Sequence, residues 1–265
     1  MAYLFEEIME FHPDNRVVYN EIKENISIMV PFVGAGLTSF AYGTWAGVLK
    51  KLAKKLTNSK NQKIVYSLIR NEELEKAAQS LEDFRGAANI SKDIAKYFSP
   101  DVFNKKCNIL KNEPIYLLPP LFPGLVLTTN FDIGLEITYR IWNREFQEVL
   151  HPGHSEKLRQ LLRQTAEGNL FKFHGTVNGR SIEYENLVFT YEQYKMHYGE
   201  NSILVKDLKK CLESKVVLFL GCSLKNDWTM KVLQEILQPG DYHYTIIGCK
   251  KAERDEKILT LEKKN

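Results

Sequence analysis

The sequence is poor in cysteine and has no close cysteine pair. Its four cysteines, Cys107, Cys211, Cys222 and Cys249, are widely scattered. Thiolate zinc sites draw on close-spaced pairs and secreted scaffolds on a regular cysteine framework, so neither is expected, and a reducing cytoplasm is the simplest home. No uninterrupted apolar run approaches the roughly 18 residues that span a bilayer. The segment Met1-Ala2-Tyr3-Leu4-Phe5-Glu6-Glu7 has neither the basic start nor the apolar core of a secretory signal. Charge of one sign is also scarce, with 36 Lys plus Arg against 33 Asp plus Glu. That balance gives no reason to expect nucleic acid, an acidic substrate or a membrane surface as partner. Internal repeats and low-complexity tracts are absent.

What is present is an ordinary globular composition, 44% apolar and 26% charged over 265 residues. Such a chain can bury a sizeable core in one large domain or two modest ones. The opening thirty residues read as helical, with Ile22, Ile26 and Met29 on one face before Pro31. Phe32-Val33 then reads as a short buried strand entering a glycine turn. Trp45, Val48, Leu49, Leu52 and Leu56 follow at helical spacing, backed by Lys50, Lys51, Lys54 and Lys55, a stripe that suits a solvated face better than an anion site. The helical pattern continues from about 62 to 118, with Leu74, Ala77, Ala78 and Leu81 on one face, and ends at Pro119, Pro120, Pro123 and Gly124. Further strands are expected at Leu125–Thr129, Leu170–Phe173, Val216–Leu220 and Tyr244–Ile247, with helices between them. Strands alternating with helices predict an α/β fold: a doubly wound parallel, Rossmann-like sheet with an inserted helical subdomain at about 60–118. The helix-like Ala252–Lys264 follows a buried strand where another strand would close the sheet. We therefore expect these residues to be the N-terminal part of a longer protein.

Four segments fall at carboxyl ends of strands, where such a sheet places its ligand. Gly34-Ala35-Gly36-Leu37-Thr38-Ser39 would let backbone approach a pyrophosphate at the start of a helix. The third glycine of the dinucleotide fingerprint is Ser39, and no acidic residue lies about 20 positions downstream, which disfavours an ordinary dehydrogenase. A tight strand–helix turn without ligand stays open for this segment. In Thr128-Thr129-Asn130-Phe131-Asp132, Asn130 could hold a ribose hydroxyl or a water and Asp132 could accept from a carboxamide; alternatively, the segment is an Asx turn capping a helix near Gly134. In Phe171-Lys172-Phe173-His174-Gly175, His174 is the one histidine placed to act as a base near neutral pH, whereas His151 and His154 flank Pro152-Gly153 in a loop. In Gly221-Cys222-Ser223-Leu224, Gly221 and Ser223 could line a phosphate or ribose pocket, or Ser223 and Asp227 could cap a helix; Cys222 suits a small buried apolar position.

The order of these segments resembles the sirtuin family, whose pattern is a Gly-Ala-Gly turn, an Asn-x-Asp segment, a His-Gly pair and a Gly-x-Ser segment. The correspondence runs from about 32 to 248, with about 60 to 118 unmatched. The resemblance implies that Gly34, Ala35, Gly36 and Thr38 contact the phosphates of NAD, with Thr38 standing where sirtuins usually carry serine. It implies that Asn130 and Asp132 line the nicotinamide and ribose pocket, that His174 is the general base, and that Gly221 and Ser223 contact the adenosine half. Deacylase sirtuins carry Gly-Ile-Pro-Asp-Phe-Arg soon after the glycine turn; here the place reads Gly43-Thr44-Trp45-Ala46-Gly47. Their zinc module is missing, and Thr129 replaces the glutamine before the pocket asparagine.

With those departures the chain resembles the divergent sirtuin-like domains of bacterial anti-phage defence proteins. The function this implies is an NAD glycohydrolase that cleaves the nicotinamide–ribose bond, with NAD as substrate and no metal. It would act in the cytoplasm, as a homo-oligomer, switched on by a fused or separate sensor or activator protein, with no direct contact to nucleic acid or membrane. The alternatives are a non-catalytic sensor of NAD or an ADP-ribose-type nucleotide, an assembly domain, and a protein deacylase.

Overall fold

Residues alternate between two cores along each central strand, and this alternation organises the molecule. The computed structural model describes residues 5–154, 157, 168–177, 187–199, 202–213, 215–222, 224, 228–237 and 243–246. Among them six strands form one sheet: β1 (Met29–Val33), β2 (Val126–Thr128), β3 (Glu148–Leu150), β4 (Asn169–Lys172), β5 (Val216–Leu220) and β6 (Tyr244–Ile246). All pairings are parallel and the order is β3-β4-β2-β1-β5-β6. Met29, Val33, Val126, Leu170 and Leu218 enter a core on one face. Val30, Phe32, Leu127, Phe171, Val217 and Phe219 enter a second core on the other. A parallel sheet covered on both faces is the Rossmann-like α/β architecture.

The first core is closed by helices Trp45–Ala53, Ser59–Arg70, Leu74–Arg85 and Ala87–Tyr97. Ala77, Ala78 and Leu81 are fully buried there together with Val65, Ile90 and Ile94. The helical stretch between β1 and β2 thus shares one apolar core with the sheet. The lysines of the stripe are all exposed, as a solvated face requires; Lys55 pairs with Asp93 at 2.5 Å and Lys51 donates to the Tyr97 hydroxyl at 3.0 Å. The second core is closed by Tyr191–Tyr198, Ile203–Leu212 and Trp228–Ile236.

Two expectations are corrected. Met29 does not extend the N-terminal helical face. The helix Asn15–Asn25 passes through a 3₁₀ turn at Ile26–Ile28, and Met29 opens β1. Pro31 disfavours helical backbone at Val30, and pairing with β5 along the whole strand outweighs the short periodic signal. Pro31 is tolerated inside the strand because it pairs with Leu218 of β5 alone, pairing with β2 beginning at Phe32. The edge strand β3 was not expected either; three residues with only Val149 and Leu150 apolar carry too little pattern to stand out. Ile247, Ala252–Lys264, Ser223 and Asp227 lie outside the described residues. No helix among the described residues is long and apolar enough to cross a membrane.

Candidate functional site

Parallel pairing puts the carboxyl ends of β1, β2, β4 and β5 on one edge of the sheet. The chain leaves β1 toward β2 on one side and returns at β5 on the other, so the two sides diverge beside β1. Ligands bind outside strand ends at such a switch point. A cavity of about 590 Å³ lies there, lined by Gly34, Ala35, Gly36, Thr38, Asn130, Asp132, His174 and Gly221. All predicted site residues that lie among the described ones therefore share one cavity, in the size range of small-molecule sites.

The glycine turn is shaped by its neighbour. Gly34 N–H donates to Leu220 O and Gly36 N–H to Gly221 O, each at 2.9 Å, so the turns after β1 and β5 are zipped together. A Cβ on Gly34 would sit 2.6 Å from Gly221 O and 2.8 Å from Cys222 Sγ, and one on Gly36 would sit 2.6 Å from Gly221 O. Gly221 itself has φ of 67°, a conformation that favours glycine. The glycines thus serve close loop contact. A 3₁₀ turn, Ala35–Thr38, follows and runs into the single helical turn Ser39–Tyr42. Cys222 is partly buried, its thiol against the Phe32 and Leu220 carbonyls at 3.5 and 3.6 Å.

Asn130 and Asp132 are both buried, and Thr38 joins them. Asn130 Nδ2 donates to Thr38 Oγ1 at 3.2 Å and to Gly34 O at 3.3 Å; the Thr38 hydroxyl donates onward to Asp132 Oδ2 at 3.1 Å. Turning the amide over would set its oxygen against the Gly34 carbonyl, so this chain of donors fixes its orientation. Asn130 Oδ1 is buried without a hydrogen-bond partner among the described residues, an acceptor that costs about 1–3 kcal/mol until a donor meets it. Asp132 Oδ1 accepts from Gly134 N at 2.8 Å, at the start of the helix Gly134–Ile141. The Asx-turn reading and the pocket position are thus both realised. Burial raises the Asp132 pKa to about 6, opposed chiefly by the Lys172 ammonium and by the Gly134 N–H.

His174 is partly accessible from the cavity, and its ring is held from two sides. The Tyr194 hydroxyl lies 2.7 Å from Nε2. A backbone hydrogen bond to Thr129 favours the protonated ring, but burial dominates and lowers the His174 pKa to about 3. Lys172, only 1% exposed, is the tie between the two loops. Its ammonium donates to Asp132 O at 2.6 Å, Glu136 Oε1 at 2.9 Å, Thr176 Oγ1 at 3.1 Å and Phe131 O at 3.3 Å. One buried cation therefore pins the Asn130–Asp132 segment to the end of β4, two residues before His174. Aromatic rings complete the wall, with Trp45 centred 5.1 Å from Phe189 and 5.6 Å from Phe131.

Lys172 and Tyr194 escape the sequence argument. A lysine between Phe171 and Phe173 in an apolar strand is itself a cue, because lysine is almost never fully buried unless paired. Tyr194 has no local cue; it sits in a tyrosine-rich helix, and only the tertiary structure brings it to His174. His151 and His154 lie away from this cavity, their rings tilted at 38° with centroids 3.8 Å apart around the turn Pro152–His154. Among the described residues no group of three or more His, Cys, Asp or Glu could hold a metal ion.

Fold and cavity together define a Rossmann-like α/β protein with its ligand site at the topological switch point. The chain belongs to the SIR2-like domain family, whose model matches residues 124–265. SIR2-like domains use NAD. The matched segment contains Asn130, Asp132, His174 and Gly221, whereas Gly34–Thr38 precede it and reach the site through the fold. A comparison with curated proteins finds no match.

Proposed function

We propose that the chain hydrolyses the nicotinamide–ribose bond of NAD, releasing nicotinamide and ADP-ribose. The observation that carries this reading is the convergence of Asn130, His174 and the Gly34–Gly36 and Gly221 turns on one cavity. The residues present fit the dinucleotide. The two turns bring Gly34, Gly36 and Gly221 to the cavity, where backbone can approach a pyrophosphate, and the Asn130 Oδ1, without a hydrogen-bond partner among the described residues, suits a ribose hydroxyl or a water.

Bound NAD supplies a bond whose leaving group is already cationic, so little acid catalysis is required. The chain's residues then have three tasks. The aromatic wall of Trp45, Phe131 and Phe189 excludes water from the apolar side. Asn130, its amide fixed by Thr38 and Gly34, orients the ribose or the attacking water. His174 receives the proton, an assistance typically worth about 10²–10⁴-fold. The neutral imidazole, kept so by burial, is in the form that accepts. The segment Gly43–Gly47 favours hydrolysis over deacylation. It offers neither an acid nor an arginine, and Trp45 instead packs against Phe131 and Phe189.

Within this reading the chain is an NAD-depleting effector of antiviral defence, in the cytoplasm, assembled with copies of itself and switched on by a fused or separate sensor or activator. That part rests on the sequence resemblance. A nucleotide sensor is the second reading, favoured by one observation: His174 Nε2 is already engaged by Tyr194. Product analysis after incubation with NAD separates them. Equal amounts of nicotinamide and ADP-ribose are expected; intact NAD with a raised melting temperature would favour the sensor.

A further inference from the structure

Tyr194 enters the cavity wall from the helix Tyr191–Tyr198. That helix is fixed at its start by a capping box between Thr190 and Gln193. At its end the Tyr198 hydroxyl donates to the carbonyl of Phe173, the residue before His174, at 2.6 Å. Tyr194 is therefore registered against the imidazole by anchors on both sides, and its hydroxyl reaches His174 Nε2 at 2.7 Å.

A neutral imidazole donates from one nitrogen and accepts at the other, so the tautomer sets the direction of this bond. In the tautomer with its proton on Nδ1, Nε2 accepts and the phenol donates. The Nε2 lone pair is then directed to Tyr194.

Resting on the NAD-cleavage reading, we propose that Tyr194 and His174 act as a two-residue proton relay in which the Tyr194 hydroxyl meets the nucleophile. The attacking water gives its proton to Tyr194 Oη as the Tyr194 proton passes to His174 Nε2. The water oxygen bonds to ribose C1′, the bond from C1′ to nicotinamide breaks, and its electron pair returns to the nicotinamide ring nitrogen. His174 then releases the proton to solvent. Nothing is oxidised or reduced. Burial disfavours a lasting imidazolium, so the relay passes its proton on rather than storing it.

The competing arrangement is that Tyr194 merely parks the imidazole, and the two predict opposite signs. The full chain is assayed for NAD cleavage as Tyr194→Phe, His174→Gln and the double variant, with melting temperatures as a folding check; phenylalanine keeps the ring and its packing. The relay predicts that Tyr194→Phe lowers kcat by about 10- to 100-fold with KM little changed, and that the double variant is no slower than the slower single, because either change breaks the same path. An unchanged or raised kcat in Tyr194→Phe overturns the relay, as do losses that multiply in the double variant. If the unmodified chain leaves NAD intact, the NAD reading fails separately, and ¹⁵N-histidine NMR decides the pairing. A His174 Nε2 signal that moves in Tyr194→Phe supports the tyrosine–histidine couple, and one that does not move overturns it.

Discussion

Thr38 and Asp132 are joined by a side-chain hydrogen bond of 3.1 Å across 94 positions of sequence, and both are buried. The same hydroxyl accepts from Asn130. The threonine therefore sets the orientation of the amide rather than reaching outward from the glycine turn.

Replacing Thr38 by Val keeps its shape and removes the hydroxyl. Asp132 Oδ2 and Asn130 Nδ2 then each lose a buried partner, which predicts destabilisation of about 1–3 kcal/mol. Thr38→Ser restores the bonds and should recover most of it. Denaturant unfolding of the two variants checks this; equal stability would show that the hydroxyl has no such role.

His174 and Asp132 give stability opposite dependences on pH. The folded histidine has a pKa of about 3, below the unfolded value of about 6.5. The unfolded chain then binds the extra proton, so this contribution is complete above about pH 6.5 and is lost as pH falls. The Asp132 carboxyl is raised to about 6. Its contribution is greatest at low pH and is lost as pH rises from about 4 to about 6. Relative to His174→Gln, the unmodified chain should gain stability with pH across the first window. Relative to Asp132→Asn it should lose stability across the second, each by on the order of 1.4 kcal/mol per unit of pKa shift at most. Unfolding curves from pH 4 to 7 read both differences, and two flat profiles would contradict the burial assigned to these groups.

Lys172→Met removes the cation that ties the two loops and leaves Glu136 partly buried without it; Glu136 Oε2 already has no hydrogen-bond partner among the described residues. Breaking a buried pair this way costs about 3–5 kcal/mol. Adding Glu136→Gln to Lys172→Met should return part of the loss, and a melting series tests for that recovery.

Gly34→Ala would place a methyl group against the Gly221 carbonyl and the Cys222 thiol. We expect the turns after β1 and β5 to part, with a loss of about 1–3 kcal/mol and weaker stabilisation by NAD. Thermal melts with and without NAD measure both effects.

The chain's strand ends were legible in its sequence because they carry paired signals, an apolar β-branched run followed at once by glycine, asparagine or histidine. Val216–Leu220 into Gly221 and Val126–Thr128 into Asn130 are the clearest. The resemblance then ordered the four segments, and the parallel sheet brings them to one edge. Long-range relationships were not legible. Nothing near Tyr194 points to His174, 20 positions away. Nothing in the glycine turn says that the N–H groups of Gly34 and Gly36 are taken by Leu220 of β5 and by Gly221 after it. Met29 shows the same limit at small scale, since a helical spacing of three residues yields to strand pairing that only the partner strand reveals.

The most direct test is NAD turnover by the unmodified chain and by Asn130→Ala, with products separated and identified. Misplacing a reacting group by about 1 Å can cost on the order of 100-fold in rate. We therefore predict nicotinamide and ADP-ribose from the unmodified chain and at least a comparable loss in the variant, with its fold intact. An Asn130→Ala chain that cleaves NAD at the unmodified rate would contradict the placement of the chemistry in this cavity.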